Sequence, residues 1–134
     1  MQRTDILKIV IFALAFGSLA QMGMGQDAKK LKNPVAANPQ SIDAGKAVFQ
    51  KSCAVCHGAM GHGDGAIVKS MKAEATKPSN LADAKWDHGS TDGEIFTNIR
   101  DGIGPKYEMK GQKGKLTDQE LWNLVNYIRS LQGK

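Results

Sequence analysis

The sequence predicts an all-α domain, and three observations carry that reading. Two Thr-x-x-Glu capping boxes each open a segment of helical apolar spacing. A third segment repeats apolar and small residues at helical spacing without a box. No stretch alternates apolar and polar residues between turn signals as a strand would. The first helix is predicted over about 42–54, with Ser41 as N-cap and Ile42, Gly45, Val48, Phe49 and Cys53 on one face. Gly58, Gly61, Gly63 and Gly65 then interrupt regular structure, and residues 66–73 predict a short helix. Thr91 with Glu94 opens a helix holding Ile95, Phe96 and Ile99, which Gly102 stops. Thr117 with Glu120 opens the most periodic segment, Leu121, Leu124, Val125, Ile128 and Leu131, ended by Gly133. Three or four helices with long Gly- and Lys-rich connections result. Residues 58–90 and 102–116 hold little regular structure, and connections of that length in a small domain are usually functional or disordered. A bound group around which they wrap would explain them.

The beginning of the chain reads differently. Arg3 and Lys8 precede an apolar run, Ile9 to Ala20, followed by QMGMGQ. That order predicts a secretory signal over 1–25, cleaved after Ala20 or after Gly25, each of which has small residues at the right positions. The run is shorter than the ~20 residues of a membrane span; an uncleaved N-terminal anchor is the alternative. Residues 26–40, polar and carrying Pro34 and Pro39, read as a flexible leader with no packed core. The domain proper is then 41–134, periplasmic or otherwise exported. The 134 residues carry a net charge of +5. Without Arg3, Asp5 and Lys8 of the signal, 16 basic and 12 acidic residues remain, a net of +4. That is too sparse for a nucleic-acid binder, which needs a dense basic stripe with interleaved aromatics. It suits docking to an acidic protein surface, or plain solubility.

A domain this small buries little surface, and exported domains of this size often rely on disulfides or a metal. Here the two cysteines stand in Cys53-Ala54-Val55-Cys56-His57, a C-x-x-C-H pattern of covalent haem attachment. Two thiols about one helical turn apart can add to the two vinyl groups of one haem, and the next residue then presents its imidazole to the iron. A thioredoxin-like dithiol would open a helix in a βαβ pattern, whereas this pair closes a predicted helix. A zinc site wants four ligands, and the spacing of His57 and His62 is wrong for it. A disulfide across three positions closes too small a loop to add much stability.

Three segments in order resemble class I monohaem c-type cytochromes of bacteria: CAVCHGAMGHGDG (53–65), KWDHGSTDGEIFTNIRDGIG (85–104) and KYEMKGQKGKLTDQELWNLVNYIRSL (106–131). The resemblance covers 41–132. It implies a small cytochrome c fold wrapped around one covalent haem c. It also implies a crossing of first and last helices at Gly45 and Phe49 against Leu124 and Tyr127; glycine there would let the backbones approach. Met109, just before the last helix, is where the family places its distal methionine, although Lys110 follows where a proline is common. His88 is the next choice for the sixth ligand, and otherwise a surface residue. Met60 and His62 follow His57 too closely to reach the opposite haem face. Met71 is expected in the core or against haem, and Met60 exposed. In the family a proline carbonyl accepts the N–H of the ligating histidine, which points to Pro78. Trp86 is expected beside a haem propionate or as a cover over the core.

Haem bound through Cys53 and Cys56 and ligated by His57 and Met109 has both axial positions filled, so the resemblance implies an electron carrier with no small-molecule substrate. It would work as a shuttle, or as a subunit or partner of a larger oxidoreductase such as a membrane complex. Lys106, Lys110, Lys113 and Lys115 would meet an acidic redox partner, or are simply solvated, with Glu108 offsetting them in part. The rival is an open-site haem enzyme such as a small peroxidase, or a gas-binding protein. No Arg–His pair stands where a distal site would need one, and Arg100 and Arg129 fall on predicted helices.

Overall fold

The computed structural model describes residues 24–105 and 108–133. Residues 1–23 of the expected signal lie outside them, as does Lys106. The described residues form α1 (Met24–Lys30), α2 (Pro39–Ser52), α3 (Ala54–His57), a 3-10 turn (Ala66–Ser70), α4 (Asp92–Asp101), β1 (Gly102–Ile103), β2 (Met109–Lys110) and α5 (Asp118–Leu131). None of these helices is long and apolar enough to cross a membrane.

Both predicted capping boxes form. Thr117 N–H donates to Glu120 at 2.8 Å, and the Glu120 amide returns to Thr117 Oγ1 at 3.3 Å. Thr91 and Glu94 repeat the exchange at 3.0 and 3.3 Å. The threonine backbone N–H, then its hydroxyl, holds each glutamate below the usual carboxylate range. At Gly102 the chain leaves α4 with φ of 89°, a conformation glycine adopts without strain. The last helix ends one residue earlier than its glycine suggested, on Gln132.

The first helix starts before the predicted cap. Asn38, not Ser41, caps α2, accepting from the Ser41 amide at 2.9 Å, with Pro39 preset for the first turn. Ser41 is instead buried inside the helix, donating its hydroxyl to Asn123 Oδ1 at 2.8 Å and accepting from Asn126 Nδ2 at 2.8 Å. Residues 26–40 also differ from a leader without packing. Part of the stretch is helical, Val35 packs on the core, and Asn33 donates to buried Asn126 at 2.8 Å. Gly93 of α4 lies where a Cβ would meet the Ala28 carbonyl oxygen at 2.0 Å. Hydrogen bonds and a close backbone approach dock this segment, and neither leaves an apolar period in sequence.

The core is built from α2, α4 and α5. Leu121, Leu124, Val125, Ile128 and Leu131 form the buried stripe of α5, with Ile95, Phe96 and Ile99 from α4 and Phe49 from α2. Phe96 stacks on Trp122 with centroids 4.1 Å apart, and Phe49 meets Tyr127 at 5.2 Å. The α2–α5 crossing uses the residues the resemblance implied. A Cβ on Gly45 would lie 2.0 Å from Asn123 O and 2.8 Å from Tyr127 Cβ. The small sheet was not expected: Gly102 pairs with Lys110 and Ile103 with Met109, antiparallel. Two-residue strands are too short to show alternation.

Replacing Gly45 with alanine forces these backbones apart. The expected cost is roughly 1–3 kcal/mol, the range for overpacking a filled site, measured as a lowered urea midpoint of the protein; an unchanged midpoint contradicts the crossing.

Candidate functional site

The C-x-x-C-H segment grows out of the best-buried part of α2. The Cys53 amide donates to the Phe49 carbonyl at 2.8 Å, and the His57 amide to the Cys53 carbonyl at 2.9 Å. Cys53 leaves the helix with φ of −119°, and α3 gives one further turn that ends at Gly58, φ 79°. Cys53 closes α2, and Cys56 and His57 share the single turn of α3. Both thiols are free and half-buried. Burial, with a smaller contribution from Cys56, pushes the Cys53 thiol up to about 11. No group of three or more His, Cys, Asp or Glu side chains among the described residues is arranged to hold a metal ion.

The second element is the irregular segment around Ser79. His57 Nδ1 lies 3.1 Å from the Ser79 carbonyl oxygen. A carbonyl only accepts, so Nδ1 carries the proton and Nε2 keeps its lone pair. Burial lowers the His57 pKa and the Ser79 bond opposes it; burial is the larger effect, so the ring is held neutral. The sequence expectation for this acceptor was Pro78, and the structure corrects it by one residue. The Pro78 carbonyl points elsewhere: a Cβ on Gly63 would come within 2.5 Å of its oxygen. Gly63 in turn donates its amide to the His57 carbonyl at 2.8 Å, and Leu81 donates to Gly61 at 2.7 Å. The glycine-rich loop is thus clamped between His57 and residues 78–81, and the register of that clamp decides which carbonyl the ring meets.

Met109 stands on a different element. It is half-buried in β2, packed against the core that also receives Cys53. Its strand is stitched to α4, since Gln112 donates to the Ile99 carbonyl and Lys113 to the Arg100 carbonyl, both at 2.9 Å. His88 is exposed, and Met60 is 53% exposed. Met71 is half-buried. Trp86 is half-buried against the core, with the Arg129 guanidinium 5.1 Å from its ring centroid. Lys110, Lys113 and Lys115 are exposed, as is Glu108.

The residues present fit a haem. Between 54 and 81 the fully buried positions are Gly58, Gly61 and Gly65, all without side chains, and none of the described residues in 100–116 is buried. Val68, Met71, Leu81, Ile103, Met109 and Leu116 are all left half-buried. Two loops with unfinished apolar burial, one bearing two thiols and a neutral imidazole, match the chemistry of a flat apolar group held by thioethers and a nitrogen ligand.

Comparison with known proteins agrees. A family model described as cytochrome c matches residues 42–132. The chain is similar to the Cbb3-type cytochrome c oxidase subunit CcoP of Rubrivivax gelatinosus, 31% identical over 100 residues, covering 74% of this chain and 29% of that one. It is also similar to the subunit FixP of Bradyrhizobium diazoefficiens, 34% identical over 97 residues, covering 66% and 30%. The chain thus spans about a third of the length of these curated relatives. Among solved structures it resembles a chain of the Kuenenia stuttgartiensis reducing HAO-like protein complex, with a TM-score of 0.64 and 25% identity over 76% of this chain and 49% of that one.

Gly63 has φ of 77° as well as a backbone oxygen in the way of a side chain. Gly63→Ala is expected to cost roughly 1–3 kcal/mol from backbone strain, read as an earlier urea midpoint of the haem-loaded protein. Stability equal to wild type contradicts the clamp.

Proposed function

This chain belongs to the cytochrome c family, whose members perform haem-based electron transfer, and we propose that it carries single electrons on one covalent haem c held by Cys53 and Cys56. The observation that carries this reading is the C-x-x-C-H turn with His57 fixed as a neutral ring, Nδ1 on the Ser79 carbonyl and Nε2 free. The haem, when bound, supplies the ferrous–ferric couple. His57 and Met109 would ligate its iron. With both residues on the iron no place would be left for a substrate, so the chain would act as a carrier and not as an enzyme. The half-buried loops exclude water from the bound group, and the stitched 109–116 segment holds Met109 with little freedom to move.

The signal reading of residues 1–25 supports export to a periplasmic compartment, or display from an N-terminal anchor if the signal stays. The named relatives are oxidase subunits, and the structural neighbour belongs to an HAO-like complex. These support delivery of electrons to or within a larger redox assembly. Exposed Lys110, Lys113 and Lys115 support an acidic docking surface on that partner.

The test is a spectrum of protein made in a host that matures c-type cytochromes. Haem that survives acidic organic extraction and a weak methionine–iron band in the oxidised protein are expected. Met109→Ala should lose that band and let the reduced protein bind carbon monoxide rapidly. A colourless product overturns the haem reading, and rapid carbon monoxide binding by wild type makes it an open-site haem protein.

The lysines make a separate prediction. Electron transfer to an acidic partner protein should slow as ionic strength rises toward 0.15 M, where screening acts beyond about 8 Å. A rate independent of salt removes the acidic docking surface.

A further inference from the structure

We propose that Asp87, acting through Ser79, is a positioning residue that sets the hydrogen bond on His57 and with it the potential of the site; the proposal rests on His57 being the haem ligand. Residues 71–90 have no helix or strand to place the His57 acceptor. Ser79 Oγ donates to Asp87 Oδ2 at 2.8 Å, while the carbonyl of the same residue faces His57 Nδ1 at 3.1 Å. A hydroxyl on a carboxylate is a charge-assisted bond, stronger than one between neutral groups.

Asp87 is itself exposed, and its position is fixed through its neighbours. Its neighbour Trp86 packs on the core beneath the Arg129 guanidinium. Arg129, on α5, donates Nε to Asp92 Oδ1 at 2.8 Å and a terminal nitrogen to the Ser90 carbonyl. The stretch 86–92 is therefore tied to α5. On its other side the Ser79 segment is tied to the loop after His57 through Leu81 and Gly61. Ser79 bridges the two, so the position of its carbonyl depends on Asp87.

The consequence is electronic. An N–H that donates to a carbonyl makes the imidazole more basic and favours the ferric state. Loosening Ser79 weakens that bond, so the potential should rise. Asp87→Ala, which removes the acceptor, would also raise it by removing a negative charge, so a double-mutant cycle separates the two effects.

The experiment uses the haem-loaded protein and two readouts: the midpoint potential and the His57 Nδ1 proton resonance of the reduced form. Ser79→Ala should raise the potential and move the resonance upfield. Ser79→Thr, which keeps the hydroxyl, should leave both near wild type. The double variant Ser79→Ala/Asp87→Ala should match Asp87→Ala alone. Unmoved readouts in Ser79→Ala, or fully additive shifts in the double variant, overturn the proposal. If Ser79→Ala fails to accumulate, Asp87→Ala, which removes the acceptor, decides: an unmoved His57 resonance overturns it. A wild type lacking covalent haem overturns instead the carrier reading, so the two failures are distinct.

Discussion

The crossing of α2 over α5 is the constraint on which the site depends. Gly45 approaches the Asn123 carbonyl so closely that any side chain would collide with backbone. That closeness brings Phe49, one turn on, into full burial beside Tyr127. The Phe49 carbonyl then holds the Cys53 amide, and the Cys53 carbonyl holds those of Cys56 and His57. Burying one large apolar side chain contributes about 1.5–3 kcal/mol, against a net ~1 for a typical hydrogen bond. Packing therefore anchors the motif, and the hydrogen bonds aim it.

The motif is aimed without charging its thiols or its imidazole. Burial raises the Cys53 thiol and lowers His57, so both are kept neutral by the same cause acting on opposite charges. A carboxylate on Nδ1 would orient the ring too, but it would favour the imidazolium. A carbonyl orients with a weaker pull, and in the balance at His57 burial outweighs it. Carboxylate influence enters one step removed, at the Ser79 hydroxyl, where it can stiffen the loop without facing the ring.

What could be read in sequence follows the range of the interaction. The capping boxes at Thr91 and Thr117 are local, three residues wide, and both were legible. So was the C-x-x-C-H turn, because its chemistry fixes its spacing. Gly45, Phe49, Leu124 and Tyr127 were legible through resemblance, since a crossing of distant helices leaves no local mark. Ser79 was not legible: the choice between adjacent carbonyls depends on how two irregular segments align, and Pro78 drew the expectation as the family's usual acceptor. The docking of Asn33 on Asn126 was hidden for a related reason. It is made by polar side chains in a stretch without periodicity, where composition alone suggests no packing.

The distribution of burial gives the motif its wider meaning. The described core comes from α2, α4 and α5, with Ala82 as the sole buried hydrophobic side chain from the long stretch between Ala54 and Gly93. A domain of this size has little apolar surface to spare, and it has left two loops half-finished. The buried glycines at 58, 61 and 65 lie against the Asp64 side chain, the Leu131 side chain and the Val55–Cys56 backbone respectively, and their amides donate to the Ala54, Gly58 and Cys56 carbonyls, so the loop has a defined path and is not merely unpacked. A path defined by backbone contacts with its apolar side chains uncovered is the shape of a wrapping around something flat. A haem bonded to the C-x-x-C-H turn, as proposed, would complete that burial. It would then be part of the folding unit as well as the redox group, so the stability of the loops and the electronic environment of the iron would rest on the same contacts.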